Sequence, residues 1–71
     1  MTPAVFAKVG EALYGPSWRA RLSEALKVAE RTVRRWEHGE SAIPDGIGRD
    51  LAALCRKHSA ELSKLADQLE R

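Results

Sequence analysis

The stretch Leu22–Gly39, LSEALKVAERTVRRWEHG, decides the fold. Leu22, Ala25 and Leu26 share one face of a short helix. Val33 and Trp36, three residues apart, share one face of a second. Lys27-Val28-Ala29 is the bend between them. The second helix is expected to run from about Glu30 to Glu37 and to close at His38-Gly39, where glycine suits a left-handed terminal position. Arg31, Arg34 and Arg35 are left on its outer surface.

On the N-terminal side, Thr2-Pro3 is a helix start, with Thr2 as N-cap and Pro3 at the first helical position. Val5, Phe6, Val9 and Leu13 mark the apolar stripe of that helix, and Gly15-Pro16 ends it. Ser17 can cap the next helix, where Trp18 is the first apolar residue. Trp18 closes the first helix over the core or, if the pair meets a nucleic acid, places its indole near the phosphate backbone, and Tyr14 is expected at the surface or partly buried. Trp36 reads as core, on the face opposite the arginines. After the connection Glu40–Pro44, the chain from about Asp45 to Leu69 carries no proline and no glycine beyond Gly48. It reads as one long helix, or as two broken near His58-Ser59. No alternating run of β-branched and aromatic residues signals a strand. The expected fold is all-α: one domain over residues 1–71, a bundle of four to five helices. The helix pair covers about 18–39 and a long C-terminal helical segment covers about 45–70.

A chain of 71 residues buries a modest core and needs a staple or a partner. Cys55 is the single cysteine, so no intramolecular disulfide is available, and one Cys with two His offers no zinc spacing. Dimerisation is the expected supplement. No apolar run is long enough to span a bilayer, and Met1-Thr2-Pro3 opens without the basic region of a signal peptide. The expectation is a cytoplasmic protein without membrane contact. The formal charge of +2 is unevenly spread. Ser17–Trp36 holds six bases and two acids, a net of +4, whereas Asp45–Arg71 holds five of each. A concentration of positive charge on one helix pair is the footprint of phosphate contact, although charged runs are also ordinary solvated faces.

A helix-turn-helix needs apolar residues that hold two helices at a steep angle, a small residue at their closest approach, and a bend of about three residues. Leu22, Leu26, Val28, Val33 and Trp36 fall on the apolar positions, and Ser23 takes the small one. The pattern LxxALxVxxRTVRRWExGxxxIP resembles the helix-turn-helix of small bacterial and phage repressors of the Cro/C1 (XRE-like) type. The resemblance covers roughly Pro16–Leu54. It departs from the family twice. Lys27 stands where glycine or asparagine is usual at the first bend position, and Ala29 stands where serine often caps the recognition helix. A left-handed lysine would cost about 1 kcal/mol, and a missing cap roughly 1 kcal/mol more.

The resemblance implies that the second helix of the pair enters the DNA major groove with its N-terminal end toward the bases. The base-facing positions are then Glu30, Arg31, Arg34 and Arg35. Arginine reads guanine through O6 and N7, and glutamate accepts from cytosine N4. Glu30 can equally pair with Arg34 one turn on and favour the helix N-terminus. Phosphate contacts are expected from Ser17, Arg19, Lys27, Thr32 and His38. Thr32 can instead bond within its own helix, and His38 can complement the helix dipole. No arrangement of nucleophile, base and orienting group, and no phosphate-binding glycine loop, suggests an enzyme. Neither a metal, a cofactor nor a small-molecule ligand is expected.

Leu51, Cys55, His58, Leu62, Leu65 and Leu69 are spaced 4, 3, 4, 3 and 4 residues, an a/d seam suited to pairing with a second copy. The alternative is a helix folded back on its own domain. The expected function is sequence-specific binding of double-stranded DNA as a homodimer on a palindromic operator, with the protein acting as a transcriptional repressor. Small phage or mobile-element autorepressors, including those encoded beside anti-CRISPR genes, resemble this plan. An antitoxin with a toxin-binding C-terminal helix, or a packaging or recombination accessory protein, uses the same elements.

Overall fold

The computed structural model describes all of residues 1–71 and is entirely helical. Four α-helices follow in order: α1 Pro3–Tyr14, α2 Trp18–Leu26, α3 Glu30–Glu37 and α4 Asp45–Leu69, with a 3₁₀ turn at Gly15–Ser17 between the first two. None is long and apolar enough to cross a membrane.

α1 begins as its sequence dictates. The Thr2 hydroxyl accepts a hydrogen bond from the Val5 amide at 3.2 Å, and Pro3, which has no N–H to leave unpaired, fills the first helical position. Gly15, at a positive φ of 72°, ends the helix, and the chain continues through Pro16 as the 3₁₀ turn. Ser17 was expected to cap α2, but its side chain makes no capping bond, because the turn already supplies the backbone entry. Of the expected α1 stripe, Phe6 is fully buried and Val9 and Leu13 are partly so. Val5 is half exposed, since one helix of this width turns only a narrow face to the core. Ala25 of α2 likewise lies outside.

The core is formed by Phe6, Trp18, Leu22, Val33, Trp36, Ile47 and Leu51, so each helix contributes to it. Phe6 is its hub. Its ring meets Trp18 and Trp36 edge-on, each at 5.8 Å between centroids, the geometry that aromatic quadrupoles favour. Trp18 is thus a core residue, lying directly over Gly10 of α1. Any side chain at Gly10 would overlap the indole, so the glycine allows the close approach of α1 and α2.

α4 is one continuous helix, with no break at His58-Ser59. Its first half packs on the body through Ile47, Leu51 and Leu54. Leu51, expected in a pairing seam, is instead 3% exposed inside its own domain. His58 is also engaged within its own chain. Its Nδ1 lies 3.2 Å from the Leu54 carbonyl, and its ring meets the half-buried Tyr14 edge-on at 5.3 Å. Beyond His58 every residue is exposed. The second half of α4 is therefore an arm leaving the body. It stretches the molecule to 48 × 22 × 20 Å and raises the radius of gyration to 13.5 Å, against about 11 Å for a compact chain of this length.

Candidate nucleic-acid interface

The pair α2–α3 is held by two identical C-terminal devices with different residues. At the end of α3, Gly39 adopts φ 73°, its amide donates to the Trp36 carbonyl, and the Glu40 amide donates to the Arg35 carbonyl. At the end of α2, Lys27 adopts φ 59°, ψ 42°, its amide donates to the Glu24 carbonyl, and the Val28 amide donates to the Ser23 carbonyl at 3.0 Å. The bend therefore does take the left-handed conformation, on a lysine. Val28 is partly buried against the core and offsets part of that cost. Ser23, expected at the closest approach of the two helices, is 8% exposed and donates its hydroxyl to the Ala20 carbonyl at 2.7 Å. The Ala29 carbonyl accepts from the Thr32 and Val33 amides, but its methyl side chain caps nothing.

Val33 and Trp36 point α3 into the core. At 100° per residue, this turns Arg31, Arg34, Arg35 and His38 outward together. All four are exposed. Arg34 makes an ion pair with Glu30 at 2.8 Å, the i,i+4 arrangement read from the sequence. Arg31 and Arg35 are also four apart, and neither has an acidic partner. Two like charges stacked at this spacing destabilise a helix by a few tenths of a kcal/mol. An anion on this face would reverse that sign. Thr32 is half-buried beside the arginines, and its hydroxyl has no partner in the fold. Lys27 is exposed at the bend, and Ser17 is exposed at the start of α2.

Arg19 is placed differently from expectation. Its guanidinium makes a two-pronged ion pair with Glu37, Nε donating to Oε1 at 2.6 Å and the terminal nitrogen donating to Oε2. It also covers the Trp18 ring at 4.8 Å. The pair ties the start of α2 to the end of α3 and uses two of the five guanidinium N–H donors, the side chain remaining 39% exposed. The hydrogen bonds from Arg19 hold the Glu37 carboxyl below its ordinary range, and the same bonds raise Arg19. Glu37 has no role in the sequence reading, because its partner lies 18 residues away and no local spacing points to it. His38 lies 3.9 Å from Glu37 at the exposed end of α3.

No family model, curated protein or solved structure matches the chain.

Proposed function

We propose that the chain is a sequence-specific double-stranded DNA-binding protein of the Cro/C1 helix-turn-helix type, acting as a homodimeric transcriptional repressor. The observation that carries the reading is the outer face of α3. Three arginines and a histidine turn outward together, and two of the arginines have no acid to answer them. The helix beneath is rigidly seated by Val33 and Trp36 and by the Arg19–Glu37 pair. A helix of eight residues presented in this way fits a major groove about 12 Å wide. Arg31, Arg34 and Arg35, with Glu30, are the base-reading residues. Ser17, Lys27, Thr32, His38 and, through its remaining donors, Arg19 are the phosphate contacts.

The dimer follows from the arm. Leu62, Leu65 and Leu69 are exposed by 64%, 53% and 86% in the single chain, a clustering that water disfavours. One recognition helix covers few base pairs, and two-fold pairing doubles the site. Occupancy of a promoter, including the promoter of its own operon, is then sufficient for repression.

The test is selection from a random duplex pool followed by binding measured against salt. Enrichment of a palindrome with guanines at fixed positions supports the reading. Retention of random DNA with no enriched sequence would reduce the α3 face to non-specific phosphate binding. Repression is tested separately with the selected site in a promoter-reporter assay.

A further inference from the structure

We infer that two copies pair through their α4 arms in antiparallel orientation, with the two-fold axis between Leu62 and Leu65, and that the tip of each arm fills a groove on the other copy. The inference deepens the homodimer reading above and rests on it.

Two apolar features of the chain have no partner, and they lie on the same side of α4. One is the arm stripe, which after the withdrawal of Leu51 into the core and of His58 against Tyr14 is reduced to Leu62, Leu65 and Leu69. The other is an open groove of about 470 Å³ between the end of α1 and α4, lined mainly by Ala12, Leu13, Cys55, His58 and Leu62. A parallel pair would set each leucine against its own counterpart over little more than one heptad, which is short for a coiled coil. It would also leave the groove empty. The antiparallel pair fills both. With Leu62 opposite Leu65 of the partner subunit, Leu69 falls opposite His58 of the partner subunit, within the stretch of α4 that lines the groove. The most exposed leucine of the chain is then covered by the apolar surface that lacks a cover.

The flanks of the stripe accept this arrangement. Glu61 and Gln68 lie on one side and Ser59 and Ala66 on the other. Antiparallel pairing brings Glu61 near Gln68 of the partner subunit and small residues near small residues, and sets no like charges against each other on either flank.

The spacing of the two bodies is a separate consequence. Leu51 anchors α4 in the core of its own body. At 1.5 Å per residue it lies about 19 Å along the helix from the axis, so the two anchors stand about 38 Å apart. That is close to the one turn of B-DNA, about 34–36 Å, that separates successive half-sites. A parallel pair places both bodies side by side at one end of the arms and has no such built-in spacing.

Cys55, the only cysteine and an exposed one, provides the test without DNA. The intact protein is labelled there with a nitroxide, and the distance between labels is read by dipolar electron spin resonance. The antiparallel pair predicts a distance of about 25–30 Å from the helix rise and the interaxial separation. Leu65→Glu should abolish the dipolar coupling while leaving helix content unchanged. A distance under about 15 Å, the value set by two parallel helix axes 8–10 Å apart, overturns the inference. Facile disulfide-linked dimers in the unlabelled protein do the same. Sedimentation of the unlabelled protein, whose groove carries no nitroxide at Cys55, should give a dimer; a monomer there overturns the inference too, and assigns the arm to a different protein. A dimer with the expected distance that selects no DNA sequence would remove the DNA reading and leave the pairing standing.

Discussion

Arg19 and Glu37 join the first turn of α2 to the last turn of α3 by two parallel hydrogen bonds, and the guanidinium lies over Trp18 as it does so. The pair fixes the angle at which α3 leaves the body, which a hydrophobic contact alone would fix less sharply. Both partners stand beside the proposed reading face, so Glu37 would act on it through position and not through contact. Glu37→Gln should lower the melting temperature by a few degrees and weaken binding to a selected site while the side chains of Arg31, Arg34 and Arg35 remain. The effect has a pH signature. Because the hydrogen bonds from Arg19 hold the Glu37 carboxyl below the ordinary carboxylate range in the folded chain, the unfolded chain takes up the proton first as pH falls. The stabilisation is fully present above about pH 4.5 and is lost as pH drops through the folded value. Melting curves of the two proteins between neutral pH and pH 3 should converge at the acid end. A gap that stays constant with pH would mean that the pair contributes packing only.

Lys27 bears a conformation that favours glycine, in the same hydrogen-bonded turn where Gly39 ends α3. Lys27→Gly should therefore stabilise the fold by about 1 kcal/mol, less the extra entropy of glycine in the unfolded chain. The same change removes a positive charge at the edge of the proposed DNA face. The denaturation midpoint should rise at constant slope while affinity falls and its dependence on salt weakens. A variant that is less stable than the parent would show that the Lys27 side chain makes a contribution to the fold larger than the strain.

Gly10 of α1 lies directly under the Trp18 indole of α2. A β-carbon built there would overlap the six-membered ring of Trp18, itself 1% exposed and unable to withdraw without vacating the core. Gly10→Ala should cost about 1–3 kcal/mol by overpacking, despite the better helix propensity of alanine. Urea denaturation decides the sign. A gain in stability would mean that the indole can shift at no cost.

What was legible in the sequence was local. Thr2-Pro3 capping, the inward turn of Val33 and Trp36, the Glu30–Arg34 pair and the end of α3 at Gly39 all follow from spacings of four residues or fewer. The all-helical class follows from the same periodicities. The Arg19–Glu37 pair and the seat of Trp18 over Gly10 depend on how helices meet, and nothing within one helix encodes them. The a/d pattern of α4 was a true periodicity with two different uses. Leu51 sits where the helix still touches the body, and Leu62, Leu65 and Leu69 sit where it has left. A heptad pattern alone does not mark that change of surroundings. Of the candidate DNA face, the three arginines of α3 share one exposed side, while Arg19 is paired with an acid no local rule would select.

Among the three outward arginines of α3, Arg34 alone is already paired, with Glu30. The ion pair holds the Arg34 guanidinium near the N-terminal end of the helix, the end expected nearest the bases. Glu30 also places a negative charge there, which repels phosphate and so penalises DNA that offers no matching guanine or cytosine. Arg34→Ala should then weaken binding to a selected site by about 1–3 kcal/mol and binding to random DNA much less. Glu30→Gln should do the opposite to specificity: random DNA is bound more tightly, and the ratio of selected to random affinity falls. Titrations of both variants against the two DNAs at a single salt concentration separate the roles. Equal losses on both DNAs for Arg34→Ala would make Arg34 a phosphate contact. An unchanged ratio for Glu30→Gln would leave Glu30 as a helix-stabilising residue that only pairs with its neighbour.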